Sequence, residues 1–165
     1  MSNILLTSFT TWLPHQKSNS SDDLLAQFQF EQTSLTFLRR LPVDIEKASS
    51  LLIDKIQEVN PNIIICCGMA ECRNQLSIES NACDGNTVLK TNVDLDKLCE
   101  GNTIKISHDA GKFVCEGLYY NVLKYISDRQ LNIKCIFVHV PVLREDNRDT
   151  ITEDFKLILK EIEYY

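Results

Sequence analysis

No Lys/Arg cluster in this chain exceeds the Arg39-Arg40 pair, and the formal net charge is −6. Such a chain lacks the sequence-independent attraction for phosphates, which argues against nucleic acid as a partner. Nor does any apolar run approach the roughly 20 residues needed to span a bilayer, so no membrane partner is expected. The opening residues, MSNILLTSFTTWLP, have no basic n-region and their apolar run stops at Thr7. They do not read as a signal peptide. The expected location is the cytoplasm, where thiols stay reduced. An odd cysteine count of seven agrees, because any intramolecular pairing would leave one sulfur over. Internal repeats, low-complexity segments and linker composition are also missing, so residues 1–165 read as a single domain. No Cys-x-x-Cys spacing occurs, and adjacent strand residues such as Cys66 and Cys67 point to opposite faces. No metal and no organic cofactor is expected.

What is present is an ordinary globular balance, with 44% hydrophobic and 24% charged residues. Residues 4–9 form a short apolar strand candidate, followed by a polar stretch with Pro14 and a Ser/Asn/Asp cluster at 18–22. That cluster predicts a loop ending in a helix cap. A short helix is expected over 22–32, with Leu24, Leu25 and Phe28 inward, and a strand over 35–41. Over 44–59, Ile45, Ala48, Leu51, Leu52, Ile56 and Val59 recur at three and four, which predicts an amphipathic helix ended by Asn60-Pro61. Residues 62–68 and 133–140 are apolar throughout, the pattern of strands buried on both faces. Between them lie a strand or extended loop over 75–83, a polar segment of undecided structure over 84–102, a short strand over 104–107 and a helix over 112–128. In that helix Val114, Leu118, Val122 and Ile126 face inward. A last amphipathic helix is expected over 151–165. Strands alternating with helices predict an α/β fold, a three-layer α/β/α sandwich around a mostly parallel twisted sheet. Ligands in such folds sit beyond the carboxyl ends of the strands, which directs attention to Gly68 and His139.

The buried-strand cysteines Cys66, Cys67 and Cys135 read as core sulfurs. Cys115 has a different setting, because Asp109-Ala110-Gly111 is a plausible helix entrance. Unsatisfied N–H groups and the helix dipole favour a thiolate there. By position it reads first as a sulfur packed beside Val114, with a nucleophile as the alternative. His139 interrupts CIFVHVP at the end of a buried strand, where an imidazole serves either as a core residue or as a general base. His15 and His108 default to exposed loop residues. Glu79 falls beyond the 63–67 strand, where a third group could orient an imidazole. Periodicity does not decide among these readings.

Four separated segments, in order, carry a resemblance. Thr7-Ser8-Phe9-Thr10-Thr11-Trp12 is similar to T-G-F-x-x-F. Gly68-Met69-Ala70-Glu71-Cys72-Arg73, with Glu79 six residues on, is similar to G-x-A-x-x-R followed by Glu. Ala110-Gly111-Lys112-Phe113-Val114-Cys115 is similar to A-G-x-[YF]-[VL]-C, and Phe137-Val138-His139-Val140-Pro141 to [FV]-[IV]-H-[VI]-P. Together they resemble the pyroglutamyl peptidase I family of cysteine peptidases over most of the chain. The resemblance implies a Cys115–His139–Glu79 hydrolase acting on peptides with an N-terminal pyroglutamate. Phe9, Trp12, Met69, Phe113 and Val114 would line the ring pocket, and Arg73 would give support near the site.

The chain also departs from that pattern. Ser8 stands for the family's glycine, Leu13-Pro14 for a Gly-Gly pair, and Trp12 for a phenylalanine. The family's chain is longer between the glutamate and the cysteine, and most of the missing length falls around 84–102. There the resemblance implies segments that cover substrate and build oligomers, so a homo-oligomer is possible but its usual contact region is shortened. These departures motivate two further readings: a relative that binds a peptide or lactam without turnover, and a cysteine hydrolase for another small amide.

Overall fold

The structure is a computed structural model that describes residues 2–30 and 34–164. Among the described residues the elements run β1 (Ile4–Phe9), α1 (Ser20–Ala26), β2 (Leu35–Leu41), α2 (Ile45–Val59), β3 (Ile63–Met69), β4 (Ser77–Glu79), β5 (Asn81–Asp84), β6 (Thr87–Lys90), α3 (Leu95–Leu98), β7 (Lys105–Ser107), α4 (Val114–Asp128), β8 (Lys134–Val140) and α5 (Arg148–Glu161). Six strands form one sheet in the order β2-β1-β3-β8-β4-β7, while β5 and β6 pair as a separate hairpin. All contacts in the main sheet are parallel except the antiparallel β4–β8 pair. The α/β fold with a mostly parallel central sheet is as expected.

Strands β1, β3 and β8 carry almost uninterrupted apolar residues because helices cover both faces. Cys66 joins Leu5, Leu52, Leu118 and Phe137 in the core under α2 and α4. Its neighbour Cys67 joins Leu24, Ile65, Val138 and Phe155 in the core under α1 and α5. Both sulfurs, and that of Cys135, are fully buried. Among the described residues no helix is long and apolar enough to cross a membrane.

Some boundaries moved. Helix α1 starts at Ser20, because Asn19 accepts a hydrogen bond from Ser21 N at 3.1 Å and so caps it two residues before the expected start. It ends at Ala26. Of the expected span, residues 31 and 32 lie outside the described residues. Helix α2 is capped by Asp44, which accepts from Lys47 N at 2.9 Å, and closes on Asn60 at φ 44°. Leu51, expected to face inward, is 47% exposed, because the buried stripe of α2 runs along Ala48, Ser49, Leu52 and Ile56. The 75–83 stretch is two strands, β4 and β5, which break at Ser80. The undecided 84–102 segment holds β6 and the single turn α3. Beyond it, β4 is too short to flank all of β8, and side chains fill in. Asn92 Oδ1 accepts from Cys135 N at 3.1 Å, and Thr91 Oγ1 donates to Cys135 O at 2.6 Å. Helix α5 begins at Arg148, three residues earlier than expected, and Tyr165 lies outside the described residues.

Candidate active site

Parallel register places Gly68 of β3 beside His139 of β8. Antiparallel pairing then places Ser77 of β4 opposite His139, and Glu79 opposite Phe137. Directly opposed residues share a sheet face. Gly68, His139 and Glu79 therefore all project toward α4, at the carboxyl ends of β3, β8 and β4. Into this corner α4 brings Cys115, the second residue of the helix. The approach is tight: a Cβ on Gly68 would lie 2.6 Å from Cys115 Sγ and 3.0 Å from the Phe137 ring. Glycine at 68 is thus what leaves room for the thiol.

The loop before α4 turns at Gly111, whose φ of +92° is poorly accessible to other residues. Asp109 Oδ1 accepts from Gly111 N at 3.0 Å and holds the turn. Among the described residues no side-chain hydrogen bond caps α4, and the N–H groups of its first turn lie beside Cys115.

His139 and Glu79 meet directly, with Nδ1 2.6 Å from Oε1, both side chains buried. An ionised carboxylate can only accept, so Nδ1 carries the proton and Nε2 presents a free lone pair. The imidazole leans on Phe137 at 4.9 Å between centroids. Arg73 Nη1 donates to the same Glu79 oxygen at 2.6 Å and to Ser77 Oγ. Its Nη2 reaches Ser107 Oγ at 3.1 Å and Asp109 O at 2.9 Å. Tyr119, one turn after Cys115, donates its hydroxyl to the Glu79 carbonyl at 3.0 Å. Helix α4 therefore holds both the thiol and the main chain of the glutamate. Glu79 Oε2 is buried with no hydrogen-bond partner among the described residues, and Ser107, register-paired with Glu79, is the hydroxyl best placed to turn to it.

Burial alone would raise the Glu79 carboxyl, but the hydrogen bonds from His139 and Arg73, with the Ser107 hydroxyl close by, hold it below its usual value. For Cys115 the balance goes the other way. Burial pushes its thiol up to about 12, with Cys66 and Glu79 adding to the rise and Arg73 opposing it. The helix start was expected to favour the thiolate; desolvation outweighs it in the unliganded site.

Beside the thiol is a small cavity of about 40 Å³ lined by Phe9, Trp12, Gln16, Asn19, Val43, Met69, Val114 and Cys115. Four of the five expected ring-pocket residues, Phe9, Trp12, Met69 and Val114, line it. Phe113 does not. At the N-cap position of α4 it points outward, 47% exposed, and packs on Trp12 with centroids 5.1 Å apart. Gln16, Asn19 and Val43 were not anticipated. Asn19 is the helix cap already described. Gln16 accepts from Trp12 N at 3.1 Å and donates to Glu71 at 2.6 Å, strapping the Trp12 loop to the segment after β3. His15, exposed as expected, pairs with the same Glu71 at 3.0 Å. Among the described residues no cluster of three metal-binding side chains occurs.

The family profile for pyroglutamyl peptidase matches residues 98–157, which include Cys115 and His139. The pyrrolidone-carboxylate peptidase of Brachyspira hyodysenteriae is 30% identical over a 156-residue alignment covering 75% of this chain and 77% of that protein. The chain belongs to the pyroglutamyl peptidase family. This is a family of cysteine peptidases, as the resemblance implied. A second relative, from Brevibacillus brevis, is 26% identical, and the match covers 66% of this chain and 63% of that one. The pyroglutamyl peptidase I of Bacillus amyloliquefaciens shares the fold with a TM-score of 0.85 at 22% identity, covering 99% of this chain and 96% of that one. Across the curated relatives the chain spans 59% to 77% of their length.

Proposed function

We propose that this pyroglutamyl peptidase family member is a cysteine-type omega-peptidase that removes N-terminal pyroglutamate through Cys115, His139 and Glu79. The observation that carries the reading is the buried 2.6 Å His139–Glu79 pair, set beside the residue whose missing side chain makes room for Cys115. With the thiol raised by burial, His139 Nε2 takes the Cys115 proton as sulfur attacks the pyroglutamyl carbonyl. Oxygen becomes an anion facing the uncapped N–H groups of α4. As the tetrahedral species collapses, the C–N bond breaks and His139 passes its proton to the leaving amine. Water, deprotonated by the same imidazole, then cleaves the thioester and regenerates the thiol. The apolar cleft of Phe9, Met69 and Val114 suits a lactam ring, which carries no charged amine. The cleft has about 40 Å³ free, and the half-exposed Trp12 forms its solvent-facing wall.

The test is turnover of a fluorogenic pyroglutamyl amide against the open-chain glutaminyl amide, with a pyroglutamyl halomethyl ketone as active-site label. Release from the pyroglutamyl amide only, with the label mapped to Cys115, is expected. Protection of Cys115 by the amide without turnover would point instead to a lactam-binding relative, a reading that the tight cleft and raised thiol favour. The absence of both turnover and protection would overturn lactam recognition.

Gly68→Ala probes the same geometry. The new methyl must displace Cys115 or the Phe137 ring, and a misplacement of about 1 Å costs on the order of 10²-fold in rate. A fall of that size in kcat is expected, together with a destabilisation of about 1–3 kcal/mol from overpacking. Unchanged kcat in a stably folded variant would show that the thiol does not depend on this approach.

A further inference from the structure

A second, larger cavity begins where the Glu79 cluster ends. It holds about 430 Å³ and is lined in part by Arg73, Gln75, Ser77, Lys105 and Ser107. That is within the range of peptide and small-molecule sites. Ser77 is the cross-strand neighbour of His139, and Ser107 is the neighbour of Glu79. The cavity therefore neighbours the catalytic corner along the sheet, with Arg73 between them. Sheet order ranks the parts along one line: the ring cleft over β1 and β3, Cys115 over β3, His139 on β8, Glu79 on β4 and this cavity at β4 and β7.

We propose that this cavity is the subsite for the leaving peptide, selective for a carboxylate carried about three to four residues beyond the pyroglutamyl group. The inference rests on the peptidase reading. His139 must deliver its proton to the leaving nitrogen, so the leaving chain departs from Cys115 on the His139 side, away from the ring cleft. Strands lie about 4.8 Å apart, which puts β4 at roughly 10 Å and β7 at roughly 14 Å from Gly68. An extended chain advances about 3.4 Å per residue, so its third and fourth residues past the scissile bond reach the cavity. The wall chemistry selects what sits there. Lys105 is exposed and makes no ion pair among the described residues, Arg73 keeps 29% of its side chain open, and amide and hydroxyl groups fill the gaps between them. Of the acids nearest in sequence to the lining, Glu71 is held by His15 and Gln16, Glu79 by Arg73 and His139, and Asp109 turns its carboxylate to Gly111 N. This locally basic cleft stands out on a chain of net charge −6.

The test compares kcat/KM for four amidated substrates: a pyroglutamyl-alanine dipeptide and pyroglutamyl pentapeptides with Glu, Lys or Ala third after the pyroglutamyl group. An Ala pentapeptide with a free C-terminus separates a terminal carboxylate from a side-chain one. The Glu pentapeptide is expected to exceed the Lys pentapeptide by about fivefold at low salt, the scale of one part-exposed ion pair. Lys105→Glu is expected to erase or invert that ratio. Equal values for Glu and Lys, or a ratio untouched by Lys105→Glu, would overturn the subsite. Failure to cleave every substrate, the dipeptide included, would overturn the peptidase reading instead. Binding of labelled Glu and Lys pentapeptides to the Cys115→Ala protein then decides the cleft independently, with tighter binding of Glu supporting it and equal binding overturning it.

Discussion

Cys115→Ala is expected to lower hydrolysis of a pyroglutamyl amide by at least about 10⁴-fold, the scale on which removal of a covalent nucleophile acts. Among the described residues no other thiol lines the small cleft. Cys66 and Cys135 are fully buried, and Cys72 lies in the larger cavity beyond Arg73. Nothing is therefore placed to substitute for the lost sulfur. The variant should fold, since alanine is a good helix former at the second position of α4 and leaves only a small gap over Gly68. A melting temperature within a few degrees of wild type, with turnover gone, is the expected pair of results. Cys115→Ser should remain at least about 10³-fold impaired, because a hydroxyl gives up its proton far less readily than a thiol. Alanine activity above about 1% of wild type would remove Cys115 from the chemistry and leave His139 and Glu79 as a buried structural pair.

The parts of the fold that were legible in the sequence are those that each segment determines for itself. The runs 62–68 and 133–140 are apolar at nearly every position because both faces of the sheet are covered, and the two long helices show their stripes. Leu51 fell on the wrong side because a spacing of three and four admits two neighbouring stripes, and only packing against β2 and α4 selects one. β4 and β7, of three residues each, are too short to carry a period; they exist because β8 offers an open edge. The site follows the same division. By position, Cys115 at a helix start and His139 at a strand end were candidates that each had a structural alternative, and the resemblance chose between the readings. Glu79 was a candidate on the same terms, and its surroundings were not legible, because Arg73, Ser107 and Tyr119 reach it through strand pairing and a helix laid across it. Phe113 was assigned to the pocket through the resemblance, whereas its helix-entrance backbone turns the ring outward onto Trp12.

Glu79→Gln should separate orientation from structure. The carboxylate does two things with one oxygen: it fixes the proton on His139 Nδ1 and it neutralises Arg73. A glutamine keeps the shape but can turn its amide N–H toward the imidazole, which then becomes the acceptor at Nδ1 and holds its proton on Nε2, the wrong nitrogen for taking one from Cys115. Loss of the orienting carboxylate in a triad costs up to about 10⁴-fold in kcat, and a fall of about 10³ to 10⁴ with little change in KM is expected. The stability effect has its own signature in pH. The folded-state carboxyl lies below its ordinary 4.5, so ionised Glu79 stabilises the fold fully above that value and the stabilisation is lost as pH falls through the lowered one. Melting temperatures of wild type and Glu79→Gln should thus differ by a constant amount from pH 7 to about 5 and converge below 4.5. A merely structural glutamate would show that convergence without the loss of kcat, and activity within about tenfold of wild type would sink the orienting role while leaving the Arg73 pair intact.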